Sequence, residues 1–234
     1  MIALFRNLFG SSLGKKYIMA GTGLLMILFV IGHMAGNLQI FLGPEAINRY
    51  GHFLQTNVEL LWPVRIALLA IIIIHIWSAT QLTLENRAAR PTPYQQWNPA
   101  VATYASRTMM MSGLIVGAFI IYHLLHYTVM VKSINLTGKD FDAKPEFFDS
   151  EGRHDIYKMM VVGFQHPIVS AFYLVGVGLL CLHLSHGIIA MFQSLGWKKN
   201  SYGPCLDRGA KWVAALIFLG YSSIPVSILL RWIQ

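Results

Sequence analysis

Residues 15–43 read KKYIMAGTGLLMILFVIGHMAGNLQIFLG. Two lysines precede an apolar run long enough to cross a hydrocarbon core of ~30 Å as a helix, which takes ~20 residues. One histidine, His33, interrupts the run, with Gly32 beside it and Gly36 close behind. An imidazole inside a membrane is costly and tends to mark function. Glycines next to it remove side-chain bulk, so a flat, wide group can lie against the helix at that level. The first expectation is an axial haem ligand at His33, for which the rest of the chain must supply a partner.

Outward from this stretch, further segments are long and apolar enough to span. Together the five lie at about 16–42, 62–84, 107–131, 166–193 and 210–232. With 55% hydrophobic and 12% charged residues and a mean hydropathy of +0.53, the chain reads as an integral membrane protein rather than a soluble domain. The expected fold is all-α, a single domain over 1–234 with five transmembrane helices, the first four forming a cofactor-binding bundle. Residues 4–13 read as a short amphipathic helix on the inner surface. No small-residue cleavage site follows a short apolar core, so no removable signal peptide is expected. Cys181 and Cys205 read as unpaired, and without a CxxCH motif any haem would be held without thioether links.

A net charge of +8 on a soluble chain would point to nucleic acid; here its distribution points to orientation instead. One side receives ten of the 18 basic residues against Glu85 and Asp207, the other eight basic and eight acidic residues, so the whole excess lies on one side. Cytoplasmic loops carry such an excess, which sets the N terminus inside and the C terminus outside. The inner loop 85–106 is rich in proline and aromatics and should be ordered. The outer loop 132–165 is acidic and mixed and reads as a solvated cap.

Nine histidines are present, of which His33, His75, His123, His126, His183 and His186 fall within spans one to four. A lone intramembrane histidine usually serves a helix-packing hydrogen bond. That explanation loses force with at least one in each of four spans. Counting from the middle of each span at 1.5 Å per residue, His33 and His123 lie ~6 Å outside the midplane, His75 ~3 Å and His183 ~5 Å inside it. Two levels roughly 10 Å apart result, each with histidines on two helices. This suits two stacked bis-histidine haems in a four-helix bundle. Depth is good only to about a helical turn, so it does not choose between His123 and His126, or between His183 and His186. A non-haem metal centre usually recruits carboxylates or thiolates, and no Asp or Glu lies in the middle of a span. The small residues Gly32, Gly36, Ser112, Gly113, Gly117, Gly176 and Gly178 serve either a macrocycle or close helix packing.

The run MAGTGLLMILFVIGHMAGNLQIFLGPEAINRYGHFL, with a histidine followed by GNL and then FLGPEAxNxY, resembles a known family. That family is the five-helix, di-haem cytochrome b membrane anchor of succinate:quinone oxidoreductases, the succinate dehydrogenase and fumarate reductase class. Supporting matches are IIIIHIW, FIIYHLLHY and FYLVGVGLLCLHLSHG, and the resemblance covers nearly the whole chain. It implies two haem b groups with axial ligands at His33, His75, His123 and His183, the first span pairing with the third and the second with the fourth. It leaves His126 and His186 as supporting or packing groups.

The resemblance also implies partners: a flavoprotein subunit and an iron–sulfur subunit docked on the basic inner face, through loops 85–106 and 194–209. Electrons would pass between the iron–sulfur subunit and a membrane quinone, in a bacterial inner membrane, with a higher oligomer of the complex allowed and no nucleic acid involved. Quinone-site candidates are Asn48, His52, Glu59 and Arg65, between spans one and two. Lys16, Arg107 and Lys198 are candidates for holding haem propionates, or else simply flank the spans on the positive side. Two other readings compete. One is a bis-histidine cytochrome b subunit of a hydrogenase or formate dehydrogenase, which would share the haems but lack GNL…FLGPEAINRY. The other is a small histidine-lined transporter, which would purify colourless.

Overall fold

A computed structural model describes residues 7–89 and 107–234. Helix α1 covers Ser12–Asn37. It starts where the Ser11 hydroxyl oxygen accepts the Gly14 N–H at 3.0 Å, satisfying one of the amides that a helix start leaves bare. At its far end Asn37 Nδ2 donates to the His33 carbonyl at 2.7 Å, and the chain tightens into a 3-10 turn, Leu38–Leu42, that buries Ile40. Gly43 follows with φ +96°, a conformation that a side chain would strain. Its N–H bonds back to the Ile40 carbonyl at 3.2 Å. Pro44 and Glu45 then open α2, Pro44–Thr56, where a missing N–H and a negative charge suit a helix start. The GNLQIFLGPE stretch is thus a turn of defined geometry joining a membrane helix to an amphipathic one.

The remaining helices are α3, Val58–Ala88; α4, Met109–Tyr127; α5, Ile156–Gln165; α6, Pro167–Ser194; and α7, Gly203–Leu229. Asp155 caps α5 by accepting from the Lys158 N–H at 3.0 Å. His166, which precedes Pro167, is extended, as the proline ring requires, and so separates α5 from α6. Five helices are long and apolar enough to cross a membrane: Ser12–Leu42 with its terminal 3-10 turn, Val58–Ala88, Met109–Tyr127, Pro167–Ser194 and Gly203–Leu229. The chain is a multi-pass, all-α membrane protein. Across the apolar stretch of α3 none of the residues is buried by the chain itself, and Leu69, Ile73 and Ile76 are exposed. In water this would be prohibitive; against lipid it costs nothing.

Span ends differ from expectation in instructive ways. Helix α3 runs 58–88 rather than 62–84, because the polar flanks supply helix-compatible residues such as Glu59, Glu85 and Arg87. Helix α4 stops at Tyr127 rather than 131, and Met130 takes a φ of +58° as the chain turns away. Helix α7 starts at Gly203 rather than 210. Residues 4–6 of the expected surface helix, Arg6 and Arg90 of the charge count, and most of loop 85–106 lie outside the described residues; residues 7–10 are helical.

The chain forms two compact units. One comprises Met1–Val30, Val64–Met110 and Leu182–Ala214. Here Lys15 is buried, and its Nζ pairs with Glu85 Oε1 while Ser12 Oγ donates to Glu85 Oε2 at 2.7 Å, tying the start of α1 to the end of α3. Phe9 packs against Trp77 at 5.7 Å between ring centroids.

The other unit comprises Ile31–Pro63, Met111–Cys181 and Ala215–Gln234. Its segment 132–165 has a small core of its own: Phe141 and Phe147 are completely buried with Met159, and Tyr127, Met130, Ile156 and Val162 pack around them. The surface of the segment is charged, but Phe141 and Phe147 of its FDAKPEFF run point inward, so it is a packed cap rather than a merely solvated one. Arg153 clamps it to α2, donating to both Glu45 carboxylate oxygens (3.1 and 2.6 Å) and, through Nε, to Asp149 at 2.8 Å. The guanidinium hydrogen bond holds the Glu45 carboxyl below its usual range. For Asp149, desolvation pushes upward, but the Arg153 hydrogen bonds and charge outweigh it and the net shift is downward.

Candidate functional site

In the second unit His33 of α1 and His123 of α4 face each other, with ring centroids 5.8 Å apart and planes at 76°. Two imidazoles coordinating one metal from opposite sides at ~2 Å would hold their centroids ~6 Å apart. The pair therefore sits near ligand separation. Tyr221 of α7 lies 6.2 Å from His33, and Phe119 stacks 6.3 Å from His123. His123 Nδ1 is 3.3 Å from the Tyr173 hydroxyl of α6. That nitrogen is thereby engaged, which leaves Nε2 as the one able to ligate.

His126, the other histidine of α4, is completely buried. Its ring stacks 4.0 Å from Tyr127 and 5.8 Å from Phe141, and its Nδ1 is 3.1 Å from the same Tyr173 hydroxyl. It is enclosed by aromatics rather than turned to the His33 pair. His154 bonds the Phe141 carbonyl at 2.8 Å within the cap.

In the first unit His75 of α3 and His183 of α6 lie within electrostatic range of each other. Thr22 Oγ1 is 3.0 Å from His75 Nδ1 and 2.8 Å from the Ile18 carbonyl. A hydroxyl has a single proton, and the carbonyl can only accept it, so Thr22 accepts from His75 Nδ1–H. A proton fixed on Nδ1 leaves the Nε2 lone pair available, the arrangement by which outer hydrogen bonds orient metal-binding histidines. A Cβ on Gly23 would come 3.7 Å from His75 Cε1, so the helices approach closely here. His186 is near His183 and also within range of Lys198.

The donor set suits a haem better than a bare metal ion. Among the described residues no group of three or more His, Cys, Asp or Glu side chains could hold an ion. Two imidazoles suffice only where a macrocycle supplies the other four nitrogens. The small residues divide into two kinds. A Cβ on Gly36 would strike Tyr50, one on Gly176 would overlap the Phe119 ring, and one on Gly178 would touch Phe218 at 3.6 Å, so these serve packing. A Cβ on Gly32 or Gly117 would meet nothing within 4 Å, so packing among the described residues does not account for these two.

Other expected residues are dispersed. Lys16 and Arg107 are exposed; Lys198 is half-buried and donates to Asp207 at 2.7 Å. It is Lys15, not Lys16, that turns inward. Asn48 is buried, its Nδ2 donating to Asp155 at 3.0 Å and its oxygen accepting from the Tyr157 N–H at 3.0 Å, so its amide joins α2 to α5. His52 and Glu59 are exposed in the same unit, and Arg65 is exposed in the other. Thr22 and Tyr173 were not singled out by sequence reasoning. The usable signal was their hydroxyls, which need partners when placed in apolar spans.

Comparison with known proteins finds no matching family model, curated protein or solved structure.

Proposed function

We propose that this chain is the di-haem membrane anchor of a succinate:quinone oxidoreductase, carrying electrons between an iron–sulfur partner subunit and a membrane quinone. The observation that carries the reading is the His33–His123 pair, two imidazoles on different membrane helices at 5.8 Å that belong to no cluster of three or more metal-binding side chains among the described residues. The resemblance of the GNLQIFLGPEAINRY stretch to this anchor family supports the choice of partners and substrate.

His33 and His123 would hold one b haem, His75 and His183 the other. When bound, these groups supply reversible one-electron carriers, while the protein sets their position and surroundings. Thr22 and Tyr173 keep the Nδ1 nitrogens of His75 and His123 engaged, leaving Nε2 to ligate. The lipid-facing apolar surfaces of the helices keep water out. In this reading the N terminus lies inside, where Lys15, Lys16, Lys198 and Lys199 border the surface that receives the flavoprotein and iron–sulfur subunits. The membrane is a bacterial inner membrane. Asn48 supports α2, while His52, Glu59 and Arg65 remain the polar groups offered to a quinone from the opposite surface.

A dithionite-reduced minus oxidised spectrum should show a b-type α band, with two haems per chain. His33→Ala should remove one haem and leave the other. A colourless wild-type protein sinks the proposal, as does loss of both haems in a variant whose helical circular dichroism is intact. Co-purification with subunits that give succinate-dependent quinone reduction tests the partners.

A further inference from the structure

Tyr173 is the one hydroxyl on α6 that meets two histidines of α4: its oxygen is 3.3 Å from His123 Nδ1 and 3.1 Å from His126 Nδ1. A phenol has one proton to give, and a neutral imidazole carries one. The phenol oxygen can also accept from more than one donor, so three arrangements satisfy both contacts. In the first, His123 Nδ1–H donates to the phenol oxygen and the phenol donates to His126 Nδ1. In the second, the phenol donates to His123 Nδ1, and His126 Nδ1–H donates to the phenol. In the third, both Nδ1–H groups donate to the phenol oxygen.

They differ at the far nitrogens. In the first, His123 Nε2 has a bare lone pair and His126 Nε2 carries the hydrogen. In the second, His123 Nε2 carries the hydrogen and cannot bind a metal. In the third, both Nε2 atoms have bare lone pairs. The surroundings bear on both. His126 Nε2 is buried without a hydrogen-bond partner among the described residues, and the adjacent Tyr127 hydroxyl is likewise unpartnered. Leaving a buried N–H unpaired costs more than leaving a lone pair unpaired, because the carbonyl-type and imine acceptors tolerate under-satisfaction better. The aromatic cage therefore disfavours the first arrangement. A metal at His123 Nε2 is compatible with the first and the third, and in both His123 Nδ1–H donates to the phenol oxygen.

We propose that Tyr173 is a positioning residue for His123: its phenol oxygen accepts the hydrogen that coordination fixes on His123 Nδ1 and so holds Nε2 as the ligating atom opposite His33. This rests on the di-haem reading above. His126 steadies the same hydroxyl: its Nδ1 lies 3.1 Å away, and its ring is held by Tyr127 and Phe141. The strength of the hydrogen bond from His123 Nδ1–H in turn sets how firmly that imidazole holds iron.

Tyr173→Phe removes the hydroxyl and keeps the ring, whose edge contacts with Phe119 (5.3 Å) and Phe164 (5.0 Å) need no oxygen. In the purified wild-type complex and its variants, haem transfer to an excess of a soluble haem-scavenging protein would be followed alongside the low-spin ferric electron paramagnetic resonance spectrum. Tyr173→Phe should release one haem at least about tenfold faster and shift one low-spin signal. The affected haem should be the one that His33→Ala removes, and the other serves as an internal report on folding. Phe164→Leu disturbs the same packing without touching a hydrogen bond, and should move neither. His126→Leu should retain two haems, with the phenol still bonded to His123.

Unchanged release and spectra in Tyr173→Phe overturn the inference while the wild-type haem content upholds the di-haem reading. Loss of a haem in His126→Leu, or equal effects of Tyr173→Phe and Phe164→Leu, overturn it as well. A wild-type complex without haem overturns the underlying reading and this inference together.

Discussion

Thr22→Val would replace a hydroxyl by a methyl of similar size at a nearly buried position on α1. The variant removes the acceptor 3.0 Å from His75 Nδ1. Loss of such an outer partner lowers metal affinity by about 10–100-fold, or about 1.4–2.8 kcal/mol. At the lower end of that range the loss is about tenfold, ~1.4 kcal/mol. The fold itself should lose little, since the hydroxyl's other bond goes to the Ile18 carbonyl on its own helix. Haem transfer to a scavenging protein separates the two groups kinetically. One phase should accelerate about tenfold, and it should be the phase that survives in His33→Ala. Equal rates for wild type and variant, or acceleration of the phase that His33→Ala abolishes, would refute the assignment of Thr22 to His75.

Further perturbations probe the scaffold. Asn48→Leu removes two hydrogen bonds that join α2 to α5 and leaves the Tyr157 N–H bare, costing about 2 kcal/mol, so amide exchange in 44–56 and 156–165 should rise on the order of 30-fold. Gly176→Val places a branched side chain into the Phe119 ring and should lower the thermal midpoint in detergent by an overpacking cost of about 1–3 kcal/mol, whereas Gly209→Ala, which meets nothing within 4 Å, should not. The Arg153 clamp is acid-sensitive. The folded-state values of Glu45 and Asp149 are depressed below 4.5 and 3.8, so their contribution is present above those values and is lost as pH falls through the lower folded ones. Limited proteolysis by pepsin should then open segment 132–165 as pH drops below about 4, and Arg153→Gln should remove that step.

The membrane helices were legible because twenty apolar residues have few other uses. Helix α2 was not, since its residues are polar on balance and the segment reads as an exit loop. Its start nevertheless carried the Gly-Pro-Glu signal that Gly43, Pro44 and Glu45 realise. The cap misled for the opposite reason: its charges are conspicuous, while Phe141 and Phe147 are too few to register as a core. Among the histidines, span depth led to the expectation of two levels, and it could not separate His123 from His126. Three residues turn a helix by 300°, so the two point only 60° apart, and one helical turn of uncertainty swallows the difference. The two differ in surroundings that no pattern within α4 contains: His123 faces His33 at 5.8 Å, while His126 is enclosed by Tyr127 and Phe141.

Helix α3 has 31 residues and so measures ~46 Å, more than the ~30 Å of hydrocarbon and comparable with a whole bilayer including its headgroups. Between Arg65 and Glu85 it carries no Asp, Glu, Lys or Arg, and those two residues stand ~30 Å apart along the axis. The charges therefore act as a ruler fixed to the protein. A thinner bilayer has to be met by tilt, and a thicker one would draw Arg65 or Glu85 below the headgroups. Because Glu85 is also joined to Lys15 and Ser12 on α1, a change of lipid length would be felt by two helices at once, at the level where α1 begins.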